Sequence, residues 1–484
     1  MNGKKRKKPM ITLAGLMLVT VLMIVAYLLY TNHKQKQEEA LAAEEAAKED
    51  TSVVINEEEP ANFTSIQIDK EGQKTTWKRR DSSWVLEGEE AFPTDSEEVE
   101  ELANLLASLK AEKTVTKETQ DLSEFGLSEP RICVTATRED GTALTLNIGD
   151  KLAVDTDYYG SISDSKSVYV LPLTTNTKFD VTKEDFIYIE ETPSINKDQL
   201  LEIQLSTKDQ GNFHIAYDKE NPYDYSGVGS YPWYSIADNR LPVNADNTSI
   251  TSLLENFVSF SLAKGVDYGE EALKSYGLDQ PQGMIYLRYL ESTDFTQEKE
   301  FVLHLGKQDD SGNYYVSVND SDIVYLMLAD SIKDKIAYQE TDILTKFTHM
   351  VNIATVSELS ISTQDAKHVF GYETKTTTQE DGNETKETTF TVDGDTNTDA
   401  DGLRSFYQSV IGMKQNGILT NSDKAEGEPV LSLIFKLTSG KELKVEYYDY
   451  NSSSYAVVLN GNAQFTADKS EIDGFISEFE TKSY

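Results

Sequence analysis

Residues 122–137 read LSEFGLSEPRICVTAT, and residues 273–288 read LKSYGLDQPQGMIYLR. Each stretch has an aromatic residue followed by Gly and Leu, then a Pro three residues after the Leu, and then a segment typical of a β-strand. Since this turn and strand occur twice with the same spacing, the sequence predicts that the chain contains repeated copies of one structural module.

The residues on either side of this turn also recur in the same order. Each copy has an opening strand, a strand with a Trp, a Pro before a helix, and two late strands that contain Tyr. The matching landmarks are Phe63–Ile68 and Leu201–Leu205, Trp84 and Trp233, Phe92-Pro93 and Leu241-Pro242, Tyr158–Ile162 and Tyr314–Val318, and Ser167–Leu171 and Ile323–Leu326. Their alternation of apolar and polar residues predicts antiparallel strands with one buried face.

A helix is predicted in each copy from apolar residues spaced three and four apart. In the first copy Thr94, Asp95 or Ser96 is expected to cap its N-terminus. The apolar positions are Val99, Leu102, Leu105, Leu106 and Leu109 in the first copy, and Ile250, Leu253, Leu254, Phe257 and Val258 in the second.

A third, divergent copy follows, with strands at Leu359–Ile361 and Val430–Leu437 and a helix through Leu403, Phe406, Tyr407 and Val410. It has neither the Gly-Leu turn nor the Trp. The predicted fold class is therefore α+β, with three tandem modules that are each an antiparallel sheet packed by one main helix. The predicted modules span 61–196, 197–350 and 351–484.

The N-terminus has the pattern of a membrane anchor. Residues 4–8 are all basic, and the 20 residues Ile11–Tyr30 are uncharged and mostly apolar. A helix of that length spans about 30 Å, one bilayer core. We predict a cytoplasmic tail (1–10), a single-pass signal anchor (11–30), a charged stalk (31–60) and an extracytoplasmic remainder. The alternative is a cleaved signal peptide, whose apolar core is normally about 7–15 residues.

Charge and Cys content exclude several classes of protein. The net charge is −38, and residues 31–484 carry 40 basic and 83 acidic residues, which is −43. A chain this acidic does not bind nucleic acid through a basic surface. The single Cys, Cys133, excludes a disulfide framework and any multi-Cys metal site, and its place in a strand favours a small core residue.

Motifs for catalysis are absent from the sequence. The five His residues, which are His33, His214, His304, His349 and His368, include no pair at the spacing of a helical zinc site. There is no Gly-x-Ser-x-Gly elbow and no phosphate-binding Gly-rich loop. We therefore expect a non-enzymatic protein, with carboxylates brought together by folding as the alternative.

One candidate site is the acidic segment 393–402, DGDTNTDADG. Its alternating oxygen side chains are the ligands that Ca²⁺ prefers, so Asn397, Asp399 and Asp401 are candidate metal ligands. The segment also aligns with the helix entry of the other two copies, so a polar helix cap is the alternative. Apart from this calcium hypothesis, no cofactor is expected.

The other candidate site is the segment 221–234, NPYDYSGVGSYPWY, which enlarges a turn that is tight in the first copy. Tyr223, Tyr225, Tyr231 and Trp233 are candidate contacts to a cell-wall glycan or to a partner, because exposed aromatic rings favour such contacts. The alternative is a hairpin loop whose rings fold back on the sheet.

The chain resembles a bacterial, mainly Gram-positive family that is catalogued as domain of unknown function 4340. The resemblance rests on Trp84–Gly88, Phe92–Asp95, Leu122–Pro130, Ile148–Asp150 and Tyr158–Leu171. It implies no catalytic residue. Members are often encoded beside ABC-type transporters, which implies a membrane-anchored extracytoplasmic scaffold or accessory subunit of a transport assembly. The alternatives are a cell-envelope module that binds glycan or polymer, and an envelope hydrolase.

Overall fold

The computed structural model describes residues 52–119, 121–153, 156–163, 165–291, 296–378, 384–397, 399–420, 423 and 425–482, with side chains except at 374–378, 384–388 and 397. The predicted membrane anchor at 11–30 lies outside these residues. Within the described residues, no helix combines the length and the apolar character needed to span a membrane.

Three large antiparallel sheets follow one another along the described chain. The first region contains β1 (Val53–Val54), β2 (Phe63–Lys70), β3 (Gln73–Arg80), β4 (Ser83–Leu86), α1 (Ser96–Ala107), β5 (Lys110–Ala111), β6 (Lys113–Thr116), β7 (Ile132–Arg138), β8 (Ala143–Lys151), β9 (Tyr158–Ile162), β10 (Val168–Leu171) and α2 (Leu173–Phe179).

The second region contains β11 (Leu200–Thr207), β12 (Asn212–Tyr217), β13 (Trp233–Ser235), β14 (Val243–Asn244), α3 (Asn247–Asn256), β15 (Lys264–Tyr268), α4 (Glu270–Ser275), β16 (Gly283–Leu290), β17 (Glu298–Gln308), β18 (Tyr314–Val318), β19 (Ile323–Met327), α5 (Ala329–Ile336) and α6 (Glu340–Ile343). The third contains β20 (Val356–Ser362), β21 (Lys367–Thr378), β22 (Glu384–Val392), β23 (Asp395–Asn397), α7 (Ala400–Ile411), β24 (Gly417–Ile418), β25 (Leu431–Leu437), β26 (Glu442–Asp449), β27 (Ser454–Leu459), β28 (Asn462–Asp468) and α8 (Lys469–Thr481).

The three sheets have equivalent strand orders, except that the first has eight described strands and the others nine, with β14 and β23 as the additional edge strands. The orders are β4-β3-β2-β7-β8-β9-β10-β6, then β14-β13-β12-β11-β16-β17-β18-β19-β15, then β23-β22-β21-β20-β25-β26-β27-β28-β24, and a separate two-stranded sheet pairs β1 with β5. The prediction of an α+β fold built on antiparallel sheets is confirmed.

The described chain forms two compact units, which separate between Phe186 and Ile187. The second unit contains both the second and the third sheet. The segment that begins at Ile187 packs within this second unit, because the Ile187 side chain lies against Gly265 and the Tyr325 hydroxyl donates to the Tyr188 carbonyl oxygen at 3.2 Å. The predicted first module, 61–196, includes the first ten residues of this unit.

Strand register places equivalent residues of the three sheets at the same core position. Trp84 lies opposite Arg79 in the first sheet, and Trp233 lies opposite Tyr217 in the second. In the third sheet this position is Phe390, opposite Tyr372. All three rings are nearly fully buried, so Phe390 replaces the Trp that the third copy lacks.

The first long helix of each region, which is α1, α3 or α7, has an Asp as its N-cap. Asp95, Asp246 and Asp399 each accept hydrogen bonds from backbone N–H groups of the first helical turn, which satisfies donors that the helix cannot pair. The predicted helical positions of the third copy, Leu403, Phe406, Tyr407 and Val410, are buried in its core.

A second helix closes each sheet, which corrects the prediction of one main helix per module. α2, α5 and α8 follow the strands β10, β19 and β28, and α8 is one residue longer than α7. Ile472, Phe475 and Phe479 form its buried face, at spacings of three and four. Their burial against the sheet stabilises this helix, which is not among the helices predicted from the sequence.

The repeated Gly-Leu turn packs against a Gly of the neighbouring strand. Gly126 has φ of 67°, a left-handed conformation that suits Gly, and Leu127 is buried. A Cβ on Gly149, in β8, would lie less than 3.0 Å from the Phe125 carbonyl oxygen, so only Gly permits this close approach. Phe125 also packs edge-on against Tyr159, with 5.0 Å between ring centroids.

The second sheet repeats this arrangement, and the third does not. Gly277 has φ of 74°, and a Cβ on Gly306 would lie less than 3.0 Å from the Tyr276 carbonyl oxygen. In the third sheet Tyr448 occupies the position of Gly149. The register shows this, because the preceding residues, Tyr447 and Ile148, have equivalent partners on the neighbouring strand, which are Leu431 and Ile132. A Tyr at this position leaves no room for the turn, which explains why the third copy lacks it.

Candidate functional site

The aromatic loop, residues 218–232, connects β12 to β13 and is folded by its own polar side chains. Asn221 Nδ2 donates to the Tyr231 carbonyl oxygen at 2.5 Å, and Asn221 Oδ1 accepts from the Tyr223 N–H at 2.9 Å. Asp224 accepts from the backbone N–H groups of Ser226 and Tyr231, at 2.7 and 3.1 Å. These bonds give the loop a defined shape without a regular element.

The predicted contact residues of this loop are not freely exposed. Trp233 is 6% exposed and packs on Tyr217, with 5.5 Å between ring centroids. Tyr223 is half-buried against Tyr234, at 5.6 Å. Burial raises the pKa of Tyr231, and nearby Asp224 and Asp246 add to this rise. The positions of Trp233 and Tyr223 therefore agree with the alternative hypothesis, in which the rings of the loop fold back on their own sheet.

The tip of the loop contacts the third sheet, which neither hypothesis anticipated. Tyr225 packs against the core cluster of that sheet, and its hydroxyl accepts a hydrogen bond from Asn460 Nδ2 at 3.2 Å. The Asn352 N–H donates to the Ser226 carbonyl oxygen at 2.9 Å. The loop therefore joins the second and third sheets within one compact unit, while its contact to glycan or a partner stays a prediction.

Beneath the loop lies a small pocket of about 60 Å³, lined by its three Tyr residues and by His349. The His349 ring is nearly fully buried, and burial lowers its pKa to about 3, so it is neutral at physiological pH. Its Nδ1 lies 2.9 Å from Thr348 Oγ1, which lies 2.9 Å from the Tyr447 hydroxyl. This buried polar group is a structural part of the third core.

The predicted calcium ligands lie at the entry to α7. Asp399 Oδ1 accepts from the Gly402 N–H at 3.0 Å, and Asp401 pairs with Arg404 at 3.1 Å. Asn397 lies in β23 opposite Phe390, and its side chain is not described. In the part of the chain that the structure describes, no three His, Cys, Asp or Glu side chains converge as metal ligands. Asp399 thus acts as the helix cap, and calcium binding stays a prediction.

We expect Asp399→Ala to lower the stability of the third sheet by about 1 kcal/mol, because the cap is lost, and Asp399→Asn to retain most of it, because Asn also caps. Thermal unfolding with 5 mM EDTA and with about 2 mM Ca²⁺ tests this. A role of Asp399 as the cap alone leaves all three melting temperatures unchanged by calcium. A rise for the native chain that Asp399→Asn abolishes would instead establish a calcium site.

Among the described residues, His214 and Cys133 have structural partners or surroundings. His214 Nε2 lies 2.7 Å from Glu202, which also binds Arg288 at 2.9 Å. Burial opposes ionisation of Glu202, yet these two hydrogen bonds lower its pKa overall. Burial raises the pKa of the Cys133 thiol, so the reactive thiolate is disfavoured at neutral pH.

An ion pair between a buried Arg and a half-buried Glu, in the second compact unit, was also missed from the sequence. The Arg240 side chain is 2% exposed and pairs with Glu340, and its Nη2 also donates to Ser235 Oγ at 2.8 Å. This pair joins the segment before β14 to α6. The buried guanidinium of Arg240 is therefore explained by these structural contacts, without a functional role.

Comparison with known proteins identifies the family. The model of the family described as domain of unknown function (DUF4340) matches residues 84–224 and 233–429. The chain therefore belongs to the DUF4340 family. The two matched segments begin at Trp84 and Trp233, which are equivalent in their sheets, and residues 225–232 of the aromatic loop lie between them. No curated protein and no solved structure matches the chain.

Proposed function

We propose that this protein is a non-enzymatic extracytoplasmic scaffold, anchored in the cell membrane, that serves as an accessory subunit of an ABC-type transport assembly. In this proposal residues 11–30 cross the membrane once, residues 1–10 are cytoplasmic, and three tandem modules lie outside. It assigns no cofactor and no catalytic residue.

The observation that supports the proposal best is that one sheet topology is repeated. The residues that the copies share are used for packing. Trp84, Trp233 and Phe390 are core residues, and Gly126 and Gly149 form a close backbone contact. What differs between the copies is the connections, such as the aromatic loop. A repeated frame with variable loops is typical of proteins that present binding surfaces.

The sequence resemblance supports the transport context, because genes of this family often lie beside ABC-type transporters. The charge of −43 after the predicted anchor is consistent with a soluble extracytoplasmic region. The same charge opposes direct binding to anionic wall polymers, so it favours a protein partner over such a polymer.

The test is affinity purification of the full chain from membranes in mild detergent after in-cell cross-linking. We expect transporter subunits to be enriched together with the chain. As a matched control, residues 1–30 are replaced by an unrelated single-span anchor, and we expect enrichment to persist because the extracytoplasmic modules make the contact. Sedimentation of the chain with isolated cell wall, without transporter subunits, would contradict the proposal.

A further inference from the structure

A second cleft, of about 340 Å³, lies beside the aromatic loop within the second compact unit. One side is the loop, from Ser226 to Tyr231, and the other is the helix α7. The segment 350–353, which precedes the third sheet, also lines it. This volume is within the range of small-molecule sites, which is about 300–1,000 Å³.

The lining of the cleft is mainly apolar. The Tyr407 hydroxyl donates to the Val351 carbonyl oxygen at 3.0 Å, so this polar pair is already satisfied. Val228 lies at the rim and is 53% exposed, although it is a large apolar residue. The apolar contributors are Val228, Met350, Val351, Ile353, Tyr407 and Ile411. An apolar group of a ligand would therefore lose water on entering the cleft.

The charged side chain that lines the cleft is positive, whereas the net charge of the chain is negative. Arg404 is the charged residue that lines it, and none of the described lining residues is acidic, although the chain has a net charge of −38. The guanidinium lies over the Phe390 ring at 5.2 Å, which restricts its position. It pairs with Asp401 through Nη1, but that carboxylate side chain is 98% exposed, so the pair is weak.

A guanidinium has five donors, so Arg404 has the capacity to bind a second carboxylate beside Asp401. The general repulsion of anions by the acidic chain is screened beyond about 8 Å at physiological ionic strength. Asp224, the acid that bonds to the cleft residues Ser226 and Tyr231, accepts from their backbone N–H groups and does not itself line the cleft, so Arg404 is the charge that a bound ligand meets.

We propose that this cleft binds an aromatic or branched apolar group that carries a carboxylate a few bonds away, with the apolar group against Ile353 and Ile411 and the carboxylate at Arg404. Two sources share this chemistry, a small organic acid and the C-terminus of a polypeptide that ends in an apolar residue. The inference does not depend on the transport role.

The test compares N-acetylphenylalanine with N-acetylphenylalaninamide, which has the same ring without the charge, on the full chain in lipid nanodiscs. Ligand-observed NMR titration measures both affinities. We expect the carboxylate to bind about threefold to fivefold more tightly than the amide, the effect of one partly exposed ion pair. An acetylated tetrapeptide ending in Phe distinguishes the sources, because only a C-terminus site binds it as tightly.

Three variants and one control variant assign the binding to this cleft. Arg404→Gln should remove the preference for the carboxylate, whereas Asp401→Asn, which removes the competing acid, should keep or increase it. Val228→Trp should block both probes, while Val115→Trp, at an exposed Val of the first sheet, should not. Absence of saturable binding, equal affinity of the native chain for both probes, or undiminished binding by Val228→Trp would overturn the proposal.

Discussion

Replacing Gly149 by Ala is expected to lower the free energy of unfolding of the first compact unit by about 3 kcal/mol, the upper range for a forced clash in a packed site. The added Cβ would lie less than 3.0 Å from the Phe125 carbonyl oxygen and would meet Gly126 and Leu127 as well. The atom nearest to this Cβ is a backbone oxygen, which cannot move aside by a side-chain rotation. The turn therefore has to move away from β8, which exposes Leu127.

Urea unfolding followed by Trp fluorescence measures this change, because two of the three Trp residues, Trp77 and Trp84, lie in the first unit. Hydrogen exchange of peptides within 125–150 should show the same loss locally. The control is Gly474→Ala in α8, where a Cβ meets no atom within 4 Å and where Ala favours the helix, so stability should stay equal or rise. An unchanged midpoint for Gly149→Ala would show that the turn does not pack as described.

The triple substitution of Tyr223, Tyr225 and Tyr231 by Ser is expected to destabilise the second unit by about 3 kcal/mol, because apolar area buried by three half-buried rings is exposed or left unfilled. For a unit of this size the melting temperature should fall by about 6–12 °C. Loss of the contact between Tyr225 and the third core should also make the second and third sheets unfold less cooperatively.

The matched control replaces the same three residues by Phe, which keeps the rings and removes the hydroxyl that accepts from Asn460. Differential scanning calorimetry should show a much smaller shift for this variant. If the Ser variant instead melts like the native chain and loses sedimentation with cell wall, the loop is a glycan contact and its packing role is wrong.

The main strand segments and the first helix of each copy could be predicted from the sequence, because both depend on local patterns. Alternation defines strands such as Phe63–Lys70, and spacings of three and four define α7. The closing helix α8 has the same kind of pattern, through Ile472, Phe475 and Phe479. Its apolar spacing therefore also predicts a helix from the sequence alone.

The environment of the candidate sites could not be predicted in this way. Tyr225 meets Asn460, which is 235 residues later in the sequence, and Arg240 meets Glu340 after 100 residues. Such contacts depend on how complete sheets pack together, and no local spacing records them. The acidic segment before α7 offered two chemical interpretations, and only the geometry around Asp399 showed which role the side chain has in the fold.

The two segments matched by the family model begin at equivalent Trp residues, in β4 at one edge of the first sheet and in β13 beside the edge strand of the second. Removal of residues 84–232 would therefore join β2 and β3 directly to β13 and the strands after it. The result would be one complete sheet, with its first two strands from the first copy and the rest from the second. Gene recombination at these positions can thus lengthen or shorten the array by one copy without leaving half a domain behind.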